Sequence, residues 1–327
     1  MKPVKKISVI VSAYNRDTFL MEALKSVANQ TLQSDYFEVL VIKNFKSPEI
    51  DEFCEKNNFQ PILFEKESNV PEMYWNAIEY SKNEIITFLD DDDTYSAERL
   101  EVIFKVFNDN MELSFYHNCA KIFYEEDKEM VKQILNAKHI PVQSIVMQGP
   151  NYGSEVIYYD AAFNMSSIAI LKNVIRMREL RLLLTNPDMF MLFSAMRTSN
   201  PIMIDNRFLT NYRVHSKNTS VNLSRTNTNE FRKKYAKTFY QISEIINGLP
   251  NLLKLLNIYM VHSLIEFHIM NAERAKIYLE DFPKLIQKSA YILKWEPEKL
   301  ADLFMTYVSV FIRSIFPNLL KYQILHK

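Results

Sequence analysis

Residues Glu84 to Asp93 read EIITFLDDDD, an apolar run that ends in four consecutive aspartates. Adjacent carboxylates repel one another and are stable together only in water or beside a cation. A strand that ends in carboxylates is also how an open α/β sheet presents a hard cation in the crevice at its carboxyl edge. The run therefore predicts either a solvated acidic turn or a cation-binding crevice, and the preceding residues bear on the choice.

Ile7 to Ala13, ISVIVSA, is a β-branched run of the kind buried on both faces of a parallel sheet. Phe19, Leu20, Ala23, Leu24 and Val27 follow at helical spacing, with Asn15 or Asp17 as the expected N-cap. Strands are expected at 37–42, 61–64, 85–89 and 113–119. Helices are expected at 48–57 behind Ser47, at 70–81 with Met73, Ala77, Ile78 and Tyr80 on the apolar side, and at 96–107. This alternation predicts an α/β fold, a mostly parallel Rossmann-like sheet with helices on both faces. Residues 125–138 read as a polar helix or loop, and 141–164 as an irregular aromatic binding loop. From Glu230 onward the pattern is helical, which predicts an α/β domain over 1–222 and an all-helical C-terminal extension over 223–327.

Lys+Arg and Asp+Glu both number 39, so there is no basic excess of the kind that marks a nucleic-acid binder, and no nucleic-acid partner is expected. Cys54 and Cys119 have neither zinc-site spacing nor the makings of a disulfide framework, which fits a reducing cytoplasm. Met1-Lys-Pro-Val-Lys-Lys leads into a strand rather than a secretory leader, and a cytoplasmic location is the expectation. The chain has only three glycines, Gly149, Gly153 and Gly248, so a glycine-rich dinucleotide fingerprint or P-loop after the first strand is excluded.

SVIVSAYNRDTFLMEALKSVANQTL (8–32), FEVLVIKN and FLDDDDTYSAERL (88–100) together resemble family 2 glycosyltransferases of the GT-A fold, which transfer sugars from nucleotide-diphosphate donors. The resemblance implies a divalent cation, Mn2+ or Mg2+, that acts as a Lewis acid on the donor's diphosphate. It assigns Asp90 and Asp92 to the metal through the family's D-x-D pattern, with Asp90 and Asp91 also beside the donor. Ala13, Tyr14 and Arg16 fall at the first strand's carboxyl end, where the family's nucleotide lies, although the same residues would serve an ordinary turn with a solvated Arg. Relatives commonly carry Asp-Asp-Gly-Ser after the second strand. Here the stretch is Lys43-Asn44-Phe45-Lys46-Ser47, so Asn44 replaces the base-contacting Asp and leaves the donor's base open, with a UDP-sugar as the family default. Asn76, beside Trp75, is a further donor contact by position.

Two later segments extend the match. Thr185-Asn186-Pro187-Asp188-Met189-Phe190 occupies the place of the family's Glu-Asp motif, which makes Asp188 the candidate base of an inverting transfer, with Pro187 where relatives have Glu. An Asp after Pro equally suits a helix N-cap. Leu209 to Ser220 matches the family's Tyr-Arg-x-His-x-x-Asn-x-Ser segment, which closes over the diphosphate; Arg213 would meet a phosphate or a core carboxylate, and His215 would complete the metal shell or serve structure. Ser166 and Ser167 read as packing residues near the acceptor side.

Leu300 to Phe316 is apolar around most of its circumference, and suits a buried bundle helix or one lying in a membrane interface. The second option would favour a polyprenyl- or other lipid-linked acceptor over a free glycan. The competing functions are a catalytically silent glycan-binding scaffold, which the Asn44 and Pro187 departures allow, and a sugar nucleotidyltransferase. The latter lacks its glycine-rich loop in SAYNRD. An aspartyl-phosphate phosphatase would need its nucleophile on the first strand, where there is none.

Overall fold

The computed structural model describes residues 3–64, 69–124, 140–149, 152, 155–215, 229–253, 255–256 and 259. The expected polar segment at 125–138, the boundary at 222/223, residues 216–220 and the apolar helix at 300–316 lie outside the described residues. Among the described residues no helix is long and apolar enough to cross a membrane.

The described residues build a nine-stranded mixed sheet. In its first half β1 (Ile7–Ala13), β2 (Phe37–Lys43), β3 (Gln60–Leu63) and β4 (Ile85–Asp90) are joined by α1 (Leu20–Ala28), α2 (Pro48–Lys56) and α3 (Val70–Tyr80). All four strands run parallel, in the spatial order β3-β2-β1-β4. Every residue of β1 is buried, as a strand covered on both faces requires. The chain steps outward from β1 to β2 and β3, then returns to lay β4 on the other side of β1. That reversal opens a crevice between the carboxyl ends of β1 and β4, where open α/β sheets bind ligands.

The second half departs from simple alternation. A two-residue strand, β5 (Thr94–Tyr95), and α4 (Arg99–Asp109) follow the acidic turn. The sheet continues through β6 (Phe115–Tyr124), β7 (Ile145–Met147), β8 (Ile168–Leu171) and β9 (Ile202–Val214). β8 lies antiparallel between β4 and β6, β6 pairs parallel with β9, and β7 and β5 each pair antiparallel with β9. The expected irregular segment at 141–164 thus contains β7 and a short helix, α5 (Glu155–Tyr158).

Helix α6 (Met177–Leu180) leads to α7 (Pro187–Met196), whose residues from Met189 to Met196 are all buried. Helix α8 (Asn229–Ile245) lies beyond, with Phe239 and Ile242 buried in the same core, and the Gln241 amide donating to Leu182 O at 2.6 Å. Two local expectations change. Neither Asn15 nor Asp17 caps α1 through its side chain, since the cap position falls on Phe19. On α3 it is Tyr74 that is fully buried, whereas Tyr80 points to solvent at 56% exposure.

Candidate active site

Ser12 of β1 stands opposite Asp90 of β4, so the turn after β1 and the acidic turn after β4 face one another across the crevice. Beyond buried Ala13, Tyr14 is exposed and Asn15 adopts a left-handed conformation with φ of 58°. Asn44, at the end of β2, holds that conformation. Its Oδ1 accepts the Asn15 backbone N–H at 2.8 Å, and its Nδ2 donates to Asn15 Oδ1 at 2.6 Å. The residue expected to read a base therefore has both ends of its amide engaged by the β1 turn.

The four aspartates do not form a solvated turn. Asp91, Asp92 and Asp93 are at most 5% exposed, and each has a partner. Arg16 donates from Nε and Nη2 to the two oxygens of Asp91 at 2.7 and 2.8 Å, and from Nη2 to Oδ2 of Asp92 as well. That same Asp92 oxygen lies 3.0 Å from Nε2 of His215. Asp93 accepts the Arg213 backbone N–H at 2.9 Å through Oδ1, while its buried Oδ2 makes no hydrogen bond. Asp90 Oδ1 accepts the Tyr74 hydroxyl at 2.5 Å and the Ser12 hydroxyl at 3.3 Å. Its backbone N–H donates to Ser166 Oγ at 3.0 Å, which gives Ser166 a part in shaping the turn beyond packing. Burial raises the Asp90 and Asp91 carboxyls to about 6, and the neighbouring Asp92 charge adds to both shifts. Burial and the Asp92 and Asp90 charges raise Asp93 well above the usual carboxylate range.

Strand β5 explains how His215 reaches a turn so distant in sequence. Thr94 and Tyr95 pair with Asn211 and Thr210, so the end of β9 runs alongside the aspartates. Arg213 is fixed there. Its Nε donates to Asp92 O at 3.0 Å, its Nη2 meets Glu22, and its guanidinium lies between the rings of Phe19 and Phe123, at 4.2 and 4.6 Å from their centroids. Of the two roles expected for Arg213, the structure shows pairing with a carboxylate, that of Glu22 on α1.

Asp188 is the second residue of α7. Asn186, with φ of 53°, takes the cap position that Asp188 was expected to suit, and Pro187 opens the first turn. The Asp188 Oδ1 accepts the Met189 N–H at 2.8 Å. Part of Asp188 reaches solvent, yet burial chiefly, with the charges of Asp160 and Asp90, raises its carboxyl to about 7. Burial and Asp90 raise the Tyr74 hydroxyl well above its usual range, and the Asp188 charge adds a smaller part. A carboxyl raised to that value can take up a proton near neutral pH, as a general base must. Trp75 and Asn76 are half-buried on α3, and Arg181 lies over the Trp75 ring at 4.7 Å.

The sequence pattern assigned no role to Tyr74, Ser12, Glu22 or Asp160, and none to Asp93 beyond its place in the aspartate run. Tyr74 and Ser12 have no signal beyond an apolar helix face and a strand, and only the fold places their hydroxyls on Asp90.

Among the described residues no group of three or more His, Cys, Asp or Glu is arranged around one metal position. A site with two protein ligands is nevertheless compatible with Mg2+ or Mn2+, which complete their shells with water and substrate phosphates. Neighbouring ligands of an octahedral ion with bonds of about 2.1 Å lie about 3.0 Å apart. The separation of Asp92 Oδ2 and His215 Nε2 is 3.0 Å, and the orphaned Asp93 Oδ2 lies in the same turn, so the residues fit such an ion.

Comparison with known proteins agrees with this architecture. A glycosyltransferase of Rickettsia bellii is 34% identical over 127 residues, covering 38% of this chain but only 18% of that protein. A glycosyltransferase of Haemophilus influenzae is 26% identical over 301 residues, covering 88% of this chain and 93% of its own. Among solved structures, Staphylococcus aureus TarS 1-349 in complex with UDP-GlcNAc superposes with a TM-score of 0.62 at 16% identity, over 91% of this chain and 83% of that one. The shared fold is the GT-A fold. Residues 8–174, just over half of the chain, match the model of the family "Glycosyl transferase family 2". The chain belongs to family 2 of the glycosyltransferases.

Proposed function

We propose that this protein transfers a sugar from a nucleotide-diphosphate donor, a UDP-sugar, to a hydroxyl group of a glycan or lipid-linked acceptor, with inversion at the anomeric carbon. The observation that carries the proposal is the Asp188 carboxyl. Burial chiefly, with the charges of Asp160 and of Asp90 at the end of β4, raises it to about 7. The UDP-GlcNAc complex of TarS supports a UDP-sugar donor, and the S. aureus protein named poly(ribitol-phosphate) beta-N-acetylglucosaminyltransferase TarS, 30% identical over 101 residues, supports a hydroxyl acceptor.

In this reading Ala13, Tyr14, Arg16, Asn76 and Asp91 surround the nucleotide, and Asn44 acts on it by fixing the β1 turn rather than by touching the base. Asp92 and His215 would hold Mn2+ or Mg2+, which would supply positive charge to the leaving diphosphate. Asp90 is oriented by Tyr74 and Ser12 and contributes negative charge beside that position. Arg213 holds the end of β9 against Asp92 and Asp93, so that His215 is presented to the turn. Asp188 takes the proton of the acceptor hydroxyl as its oxygen bonds to the anomeric carbon, and the bond from that carbon to the diphosphate oxygen breaks on the opposite face.

Asp188→Asn keeps the hydrogen bond from Met189 but cannot accept a proton. It is expected to bind the donor normally and to lose transfer by at least about a hundredfold, the scale of general-base catalysis. Near-normal turnover would remove Asp188 from the chemistry, and the anomeric configuration of the product reads out inversion directly.

A further inference from the structure

We propose that Arg16 is the resident counter-cation of the acidic turn, which a divalent cation displaces from Asp92 while Asp91 retains it. The inference rests on the reading that Asp92 and His215 hold that cation. Two hydrogen-bond donors converge on one oxygen. Asp92 Oδ2 meets both Nη2 of Arg16 and Nε2 of His215, and it is the oxygen that a metal shared with His215 would occupy. A guanidinium on that oxygen and a metal ion on it are therefore alternatives.

The geometry makes Arg16 the partner that moves. The Asp91 and Asp92 side chains are each 7% exposed, in the short turn between β4 and β5, whereas Arg16 is 23% exposed and lies in the loop between β1 and α1. Its two bonds to Asp91, at 2.7 and 2.8 Å, do not involve Asp92. Exchange therefore breaks the contact to Asp92 and leaves both bonds to Asp91, so the guanidinium stays tethered beside the turn. In the metal-free protein Arg16 neutralises carboxylates that would otherwise be buried together without compensation. Once the metal has replaced it on Asp92, the released N–H is available to an anionic oxygen of the donor, so cation and donor binding are coupled.

Mn2+ titration, first without nucleotide and then with UDP, followed by calorimetry and by the electron paramagnetic resonance of free Mn2+, tests the exchange in wild type, Arg16→Gln and Asp92→Asn. Arg16→Gln removes the competitor and is expected to bind Mn2+ about ten- to a hundredfold more tightly than wild type, the worth of a charged hydrogen bond. It is also expected to melt below wild type without Mn2+ and to recover the difference at saturating Mn2+. Asp92→Asn is expected to lose binding. Equal or weaker affinity in Arg16→Gln, with binding still lost in Asp92→Asn, overturns the exchange and leaves the metal site standing. Absence of Mn2+ binding in both wild type and Arg16→Gln, with or without UDP, overturns both readings. Should Arg16→Gln fail to fold, Arg16→Lys carries the test, because it keeps the charge but loses the fork. Its Mn2+ affinity is expected to exceed that of wild type, and an unchanged affinity counts against the exchange.

Discussion

Asp188 differs from an ordinary helix-start aspartate in its surroundings: burial and two like charges, Asp160 and Asp90, raise its carboxyl to about 7. In the proposed role of base it must be ionised, so kcat/KM is expected to fall about tenfold per pH unit below pH 7. A flat profile in wild type would count against Asp188 as base, as would an unchanged slope in Asp188→Asn. The same shift has a consequence for stability with a definite sign. The folded protein holds a proton that the unfolded chain releases near pH 4. This group's contribution is therefore fully present below about pH 4 and is lost as pH rises through about 7. Thermal unfolding at pH 8 should accordingly show Asp188→Asn at least as stable as wild type. TNPDMF shows a carboxylate after a proline, but not the charges of Asp160 and Asp90 that tune it.

At the scale of elements, the four parallel strands of the first half were legible, and so was β6, expected at 113–119, whereas β5 and β7 were not. Strands buried on both faces give largely apolar runs, as in Ile7–Ala13 and the Val39–Ile42 stretch of β2, and helices between them show 3.6-residue spacing. Strand β5 is only two residues long, too short for any periodicity, and β7 lies in a segment that reads as loop. Yet it is β5 that binds the acidic turn to the end of β9. Arg213 is the pin at that junction, tying β9 to Asp92 and Asp93, to α1 through Glu22, and to Phe19 and Phe123. Arg213→Ala removes a buried side chain with charged and aromatic contacts. It is expected to cost about 2–3 kcal/mol in urea unfolding and to weaken Mn2+ binding by displacing His215. Wild-type stability and Mn2+ affinity together would show that the junction does not depend on this side chain.

For the whole molecule, one hydrophobic core runs from β1 through α7 to the described C-terminal residues, including Leu252, Leu256 and Tyr259. Phe193 sits in the middle of it, fully buried, with its ring edge-on to Tyr259 at a centroid distance of 6.1 Å, and the Tyr259 hydroxyl donates to Val156 O at 2.8 Å. Phe193→Ala is expected to cost about 3–5 kcal/mol and to loosen the sheet and the C-terminal residues in one cooperative transition. Two separated transitions would mean that the C-terminal residues fold independently of α7. Local periodicity and contiguous motifs such as SAYNRD and FLDDDD were enough for the α/β class, the parallel run of the first four strands and the family. The burial of Asp91, Asp92 and Asp93, the hold of Asn44 on Asn15, the orientation of Asp90 by Tyr74 and the sharing of one Asp92 oxygen by Arg16 and His215 emerge in the folded chain alone. The physical reason is sequence separation. Burial, charge neutralisation and carboxyl pKa depend on which groups the sheet brings within about 3 Å, and no local pattern encodes those partners.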